Sequence, residues 1–241
     1  MLELIDLCAG YGDVPIVRDF STRLLPGTVS TLIGGNGAGK STLLRAIFGS
    51  NRRISGQVVF DGEAIEELSP AERMQRGISF VPQGRCNFPL MSVAENLKIG
   101  CYLLPRRRHR AAIERVTVLF PVLTHKWSES AGNLSGGEQQ ILETAMVLLS
   151  DPKLLLLDEP SLGLSPRMQT EIFELARGIA LAGVTILIVE QNVHGALAVS
   201  DTAIVMELGR KFLEGPAVQV RDDPRIREAY LGGNMKEKQS I

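Results

Sequence analysis

Val29-Ser30-Thr31-Leu32-Ile33-Gly34-Gly35-Asn36-Gly37-Ala38-Gly39-Lys40-Ser41 sets a short strand-forming run against a glycine-rich turn that ends in lysine and serine. Helical patterning follows as far as Gly49. The turn fits the P-loop pattern and sits where that pattern has a mechanism, between a strand and a helix. Glycines let the backbone curl so that successive N–H groups and the helix N-terminus face a polyanion, and Lys40 adds a point charge for the outer phosphates. Gly34, Gly35, Asn36, Gly37, Ala38, Gly39, Lys40, Ser41 and Thr42 are therefore expected to hold the phosphates of a nucleotide, with the Ser41 hydroxyl offered to Mg²⁺. The bland alternative is a glycine-rich turn that binds nothing.

Outward from this stretch, Leu154 to Leu157 and Thr185 to Val189 are further apolar runs, each followed by a polar break and helical patterning. That rhythm is a parallel α/β sheet. Leu154 to Leu157 leads into Asp158-Glu159, two carboxylates just beyond the carboxyl end of a buried strand, where open α/β sheets place ligands. Asp158 is expected to help hold Mg²⁺, and Glu159 to orient and polarise the water that attacks the γ-phosphate.

Val58 to Phe60 leads into Asp61-Gly62, a tight-turn signal, and the chain start alternates apolar and acidic residues, so a small antiparallel sheet is expected beside the core. Ser69-Pro70-Ala71-Glu72 and Ser92-Val93-Ala94-Glu95 read as capping boxes, and Ser165-Pro166 as another cap. Between Val81 and Leu154 the pattern is helical, which predicts an inserted helical subdomain over about 88–150 within one domain spanning 1–234, with a tail at 235–241.

The 241 residues carry a formal net charge of -1 with 44% hydrophobic and 22% charged residues, ordinary globular values that give no pull toward nucleic acid. Cys8, Cys86 and Cys101 lack metal-ligand spacing and suit reduced thiols. The start lacks a signal-peptide pattern, and no apolar run approaches the roughly 20 residues that cross a bilayer, so any membrane role needs a partner.

Leu134-Ser135-Gly136-Gly137-Glu138-Gln139-Gln140 resembles the signature motif of ABC ATPases and stands in the expected order between the P-loop and Asp158-Glu159. The resemblance implies an ABC cassette: a P-loop NTPase (RecA-like) core with an antiparallel β subdomain and an inserted helical subdomain. It also implies that Ser135, Gly136, Gly137 and Glu138 contact ATP held by a second cassette, in a homodimer or heterodimer. By the same resemblance Tyr11 stacks on adenine, Gln83 links Mg²⁺ and water to the membrane partner, and Ser161-Leu162-Gly163-Leu164 is the D-loop. Gly84-Arg85, the stretch Glu159 to Leu164, Val189-Glu190-Gln191-Asn192 and Tyr230-Leu231-Gly232-Gly233 are similar to LivF-type subunits of branched-chain amino-acid importers. That family implies two integral membrane permease subunits, a solute-binding protein reached indirectly, and a place on the cytoplasmic face of a bacterial or archaeal-type membrane. Urea or amide importers share much of this pattern. A soluble ABC ATPase acting on ribosomes or DNA is disfavoured by the single compact cassette, and a kinase or GTPase has no use for the signature.

Some positions depart from the family. Most members carry histidine where Gln191 stands; Gln191 can donate to the γ-phosphate but carries no charge, and His194 lies too far into the next helix to replace it. Met146 replaces an arginine and reads as a core-facing side chain, Ser165 replaces an aspartate, and Glu143 has no expected role. The segment Arg85 to Met91, with Phe88, Pro89 and Leu90, is expected to meet a helix of the membrane subunit. Arg106-Arg107-Arg108-His109-Arg110 reads as a solvated helix start rather than a lipid contact, and Trp127 as a packing residue.

Overall fold

A computed structural model describes residues 1–230; the predicted tail and Leu231 to Gly233 lie outside the described residues. The chain opens with strands β1 (Leu2–Tyr11) and β2 (Val14–Leu24), then β3 (Val29–Ile33), helix α1 (Lys40–Phe48), β4 (Arg52–Phe60) and β5 (Glu63–Ala64). After α2 (Pro70–Gln75) and β6 (Ile78–Val81) come the helices α3 (Val93–Gly100), α4 (Arg106–Leu119), α5 (Pro121–His125) and α6 (Gly136–Leu148). The rest alternates: β7 (Leu154–Asp158), α7 (Pro166–Leu181), β8 (Thr185–Val189), α8 (Val193–Val199), β9 (Thr202–Glu207), β10 (Arg210–Pro216), α9 (Ala217–Asp222) and α10 (Pro224–Tyr230).

Two sheets result. One is antiparallel with order β2-β1-β4-β5, the small sheet expected from the alternating start. The other has order β10-β9-β3-β8-β7-β6, in which β9, β3, β8, β7 and β6 run parallel and only β10 is reversed. Every residue of β3, β7 and β8 is buried, which is why β7 and β8 read as near-continuous apolar runs rather than alternating ones. Parallel register brings the chain out of β6, β7, β8 and β3 at one edge, in that spatial order.

Leu2, Leu4, Leu7 and Phe20 of the antiparallel sheet pack with Leu43, Leu44 and Ile47 of α1 on one face of the large sheet. On the other face, Val81, Leu155 and Leu157 share a core with Val93, Leu97, Val116, Leu142 and Ala145 of the helices. Helix starts follow their caps. Ser69 and Ser92 form the two expected boxes, Ser165 accepts from Met168, and Ser135 with Glu138 forms a third box that lay hidden inside the signature. The end of α1 is closed by Arg73. Its buried guanidinium donates to the carbonyls of Ala46 and Ile47, both at 2.8 Å, and to those of Leu68 and Glu66.

Candidate functional site

Gly34 and Gly35 follow β3 directly. A Cβ on Gly34 would lie 2.2 Å from the Met206 carbonyl oxygen, so only glycine lets the loop pass β9 this closely. Gly39 caps α1 in the left-handed region at φ 103°. Lys40 is buried, and its ammonium donates to the Gly34 and Gly35 carbonyls at 2.8 and 3.1 Å, curling beneath the loop and bracing it. Burial lowers the Lys40 pKa, and the charges of Glu159 and Asp158 work against that lowering. Ala38 and Thr42 are buried behind the loop, while Asn36 and Gly37 face the opening.

The Ser41 hydroxyl donates to Asp158 Oδ1 at 2.9 Å, across from the end of β7. Asp158 is 2% exposed and its Oδ2 is buried with no hydrogen-bond partner. Burial raises its pKa, the first cause by size, with the Ser41 bond opposing. An ionised, half-satisfied buried carboxylate is costly unless a cation completes it, so Ser41 and Asp158 form an oxygen donor set suited to Mg²⁺.

Glu159 comes next and sits at φ 52°, a strained conformation for a non-glycine residue. Its N–H donates to the Val189 carbonyl at 2.9 Å, which ties the turn after β7 to the end of β8. Two side-chain amides converge on its carboxylate. Gln83 Nε2 reaches Oε2 at 2.9 Å, and Gln191 Nε2 reaches both oxygens at 3.0 Å. These residues leave β6 and β8, the neighbours of β7 on either side, so the sheet order itself delivers both amides. Asn36, Gly37, Gly39, Lys40, Ser41, Thr42, Gln83, Glu159 and Gln191, with Ile16, line one cavity of about 340 Å³.

Other expected residues lie elsewhere. Tyr11 does not line that cavity; it is half-exposed, and its hydroxyl accepts from Arg45 of α1 at 2.8 Å. Ser135, Gly136, Gly137 and Glu138 also stand apart from it. Ser135 and Glu138 line a separate cavity of about 490 Å³ between α5, α6 and α7, and Ser135 with Gly136 is exposed. His194 is exposed and lines neither. Phe88 and Leu90 are 45% and 95% exposed, as a docking segment requires. Arg106, Arg107 and Arg108 are exposed at the start of α4. Met146 packs against the helical core, whereas Trp127, expected as a packing residue, is 37% exposed.

Two buried glutamates escaped functional reading. Glu190, 1% exposed, accepts the Ser161 N–H on Oε1 at 2.9 Å and the Gln191 and Asn192 N–H groups on Oε2 at 3.1 and 3.3 Å. It thereby joins the turn after Glu159 to Gln191. Glu143, 3% exposed, accepts three N–H groups from Cys86 and Asn87 on one oxygen. Burial raises both pKa values, and the hydrogen bonds hold them down. The available signal for Glu190 was a charged residue directly abutting the apolar run Ile186 to Val189.

A family model described as ABC transporter matches residues 17–162. The chain is 40% identical to the high-affinity branched-chain amino acid transport ATP-binding protein BraG of Pseudomonas aeruginosa, over 97% of this chain and 100% of that one. It is 37% identical to a probable branched-chain amino acid transport ATP-binding protein, LivF, of Archaeoglobus fulgidus, covering 96% and 99%. The lipopolysaccharide export system ATP-binding protein LptB of Haemophilus influenzae is 32% identical over 98% and 99%. Among solved structures, the ADP conformation of an ATP-binding cassette of an ABC transporter superposes with a TM-score of 0.87 at 28% identity, covering 96% of this chain and 98% of that one.

Proposed function

The chain belongs to the ABC transporter family of ATP-binding cassettes, and from that premise we propose that its ATP hydrolysis energises uptake of branched-chain or related hydrophobic amino acids. The observation that carries the catalytic reading is the convergence of the Lys40 loop and the doubly held Glu159 on one cavity, with the half-satisfied Asp158 bonded to Ser41 of its lining. Backbone N–H groups of Gly34 to Thr42 and the Lys40 ammonium bind the phosphates of ATP. Ser41, Asp158 and the amide oxygen of Gln83 would hold Mg²⁺, which when bound neutralises charge on the phosphate oxygens. Glu159 accepts a hydrogen bond from the attacking water. The Gln83 and Gln191 amides fix the orientation of that carboxylate, a task for which a neutral glutamine serves as well as histidine.

Ser135 to Glu138 serve the nucleotide of a second cassette, since none of them lines the cavity of the chain's own phosphate loop and Ser135 heads a helix whose N–H groups suit an anion. Tyr11, exposed and anchored on α1, offers its ring to adenine. ABC cassettes pair with each other and with membrane permeases. The specific arrangement proposed is two cassettes with two permease subunits, fed by a solute-binding protein, on the cytoplasmic face of a bacterial or archaeal-type membrane. Among the described residues no helix is long and apolar enough to cross a membrane, so the permeases supply the crossing. Lipopolysaccharide export is the second reading, supported by the LptB relative; the higher identities of the two branched-chain relatives favour import.

Light scattering on Glu159→Gln with and without Mg-ATP tests the mechanism. The expected result is an ATP-dependent mass near twice 26.2 kDa, with kcat reduced about 10²- to 10⁴-fold. A variant that binds ATP yet turns it over at the parental rate would remove Glu159 from the mechanism. A monomer that binds ATP without turnover would point to a heterologous cassette partner.

A further inference from the structure

Glu143 lies on α6 about two turns beyond Ser135. Its Oε1 accepts the backbone N–H of Cys86 at 2.9 Å, the backbone N–H of Asn87 at 3.3 Å and the side-chain amide of Asn87 at 2.7 Å. The same Asn87 amide reaches Gln139 Oε1 at 3.4 Å, and Gln139 Nε2 donates to the Leu134 carbonyl at 2.8 Å, at the foot of the signature. A continuous hydrogen-bonded path thus runs from Leu134 through Gln139 and Asn87 to Glu143. Downstream, buried Asn96 accepts the Phe88 N–H at 2.8 Å and donates to the carbonyls of Phe88, Met91 and Ser92. The segment between these anchors carries exposed Phe88 and Leu90, and it begins directly after Gln83-Gly84-Arg85.

We propose that Glu143 is a positioning residue: it fastens the exposed segment after Gln83 to the signature helix, so that a displacement of Phe88–Leu90 reaches both the Gln83–Glu159 contact and Ser135. This rests on the roles given above to Gln83 and Ser135. Three features favour it over an ordinary satisfied polar cluster. A buried carboxylate is a costly way to hold two backbone N–H groups unless those groups must be held firmly. The acceptor comes from α6 rather than from the segment's own neighbours, so the bond ties the segment to the signature helix. And Met146 on the same helix packs against the apolar core, whereas Gln139 and Glu143 both reach Asn87, so these two side chains link the helix to the segment by hydrogen bonds.

The test uses the full chain as Glu143→Ala and Glu143→Gln, read by hydrogen exchange of individual amides and by steady-state ATPase kinetics. For Glu143→Ala the expected result is at least tenfold faster exchange at Cys86 and Asn87, kcat lowered about three- to tenfold, and an unchanged KM for ATP, because the phosphate loop is untouched. Glu143→Gln restores both readouts, since all three donors converge on one oxygen that an amide also provides. Unchanged exchange at these two amides in Glu143→Ala overturns the proposal, as does kcat loss that Glu143→Gln does not rescue. If Glu143→Ala fails to fold, Asn87→Ala replaces it: a kcat decrease at constant KM supports the link, and parental kcat opposes it. Parental protein without ATPase activity would instead sink the catalytic reading, leaving the exchange comparison to stand alone.

Discussion

The carboxyl edge of the sheet and the helical layer each bury a glutamate, and they satisfy it in opposite ways. At the edge, Glu190 divides its donors, with Ser161 on one oxygen and Gln191 and Asn192 on the other. In the helical layer, Glu143 gathers every donor on Oε1. The first arrangement needs two acceptor oxygens and therefore a carboxylate. The second needs one, and the negative charge is dispensable to the geometry. The edge thus holds its turns with a group that no neutral isostere can copy, whereas the helical layer holds its segment with one that glutamine can imitate.

The larger effect follows at the edge. Glu190→Gln must set an NH₂ group against at least one buried N–H, and the cost of that unmatched donor pair is about 2 kcal/mol. For a chain of this size that lowers Tm by about 4–8 °C, measured by calorimetry. Because the same change loosens Ser161 and Gln191, kcat falls with it. A variant with parental Tm would show that the split arrangement is not needed and erase the contrast.

Glu143→Gln should be nearly neutral, and its sign should depend on pH. Burial raises the folded-state pKa of Glu143 above its ordinary value of 4.5, so between those values the native state holds more protons than the unfolded chain. Stability attributable to this group therefore falls as pH rises through that window. Glutamine does not titrate, and Asp158 and Glu190, also raised by burial, are common to both proteins and cancel in the difference. Urea unfolding at pH 5 and pH 8 should show the variant gaining on the parent at the higher pH, by about 1 kcal/mol or less. A gap that favours the parent equally at both values would mean that the carboxylate contributes something an amide lacks.

The same contrast explains what the sequence revealed. Asp158 and Glu159 were legible because they close the apolar run Leu154 to Leu157, and Lys40 and Ser41 because they end a glycine-rich turn between a strand and a helix. Their convergence was legible too, since parallel strands must release their loops at one edge. The partner of each group was not. That Gln83 and Gln191 would both grip Glu159 depends on β6 and β8 flanking β7, an order no local pattern encodes. Glu143 was harder still: its donors lie 56 and 57 residues away along the chain, in a loop without periodicity. Ser135-x-x-Glu138 had the form of the two boxes read correctly, but the signature reading claimed those residues first.

The smallest effect tests the loop that Glu143 holds. Phe88 is partly exposed although its backbone is clamped by Asn96, so the structure separates a rigid main chain from a projecting side chain. Phe88→Asp should therefore change stability by no more than about 0.5 kcal/mol, with urea midpoint and slope both at parental values. Were the ring a core residue, a buried charge would cost several times that and the protein would unfold early. Parental stability combined with lost binding to permease-containing membranes would place the function of the segment in its projecting side chains. Parental stability with full binding would shift the contact to other residues and leave Glu143 holding a loop whose partner lies elsewhere.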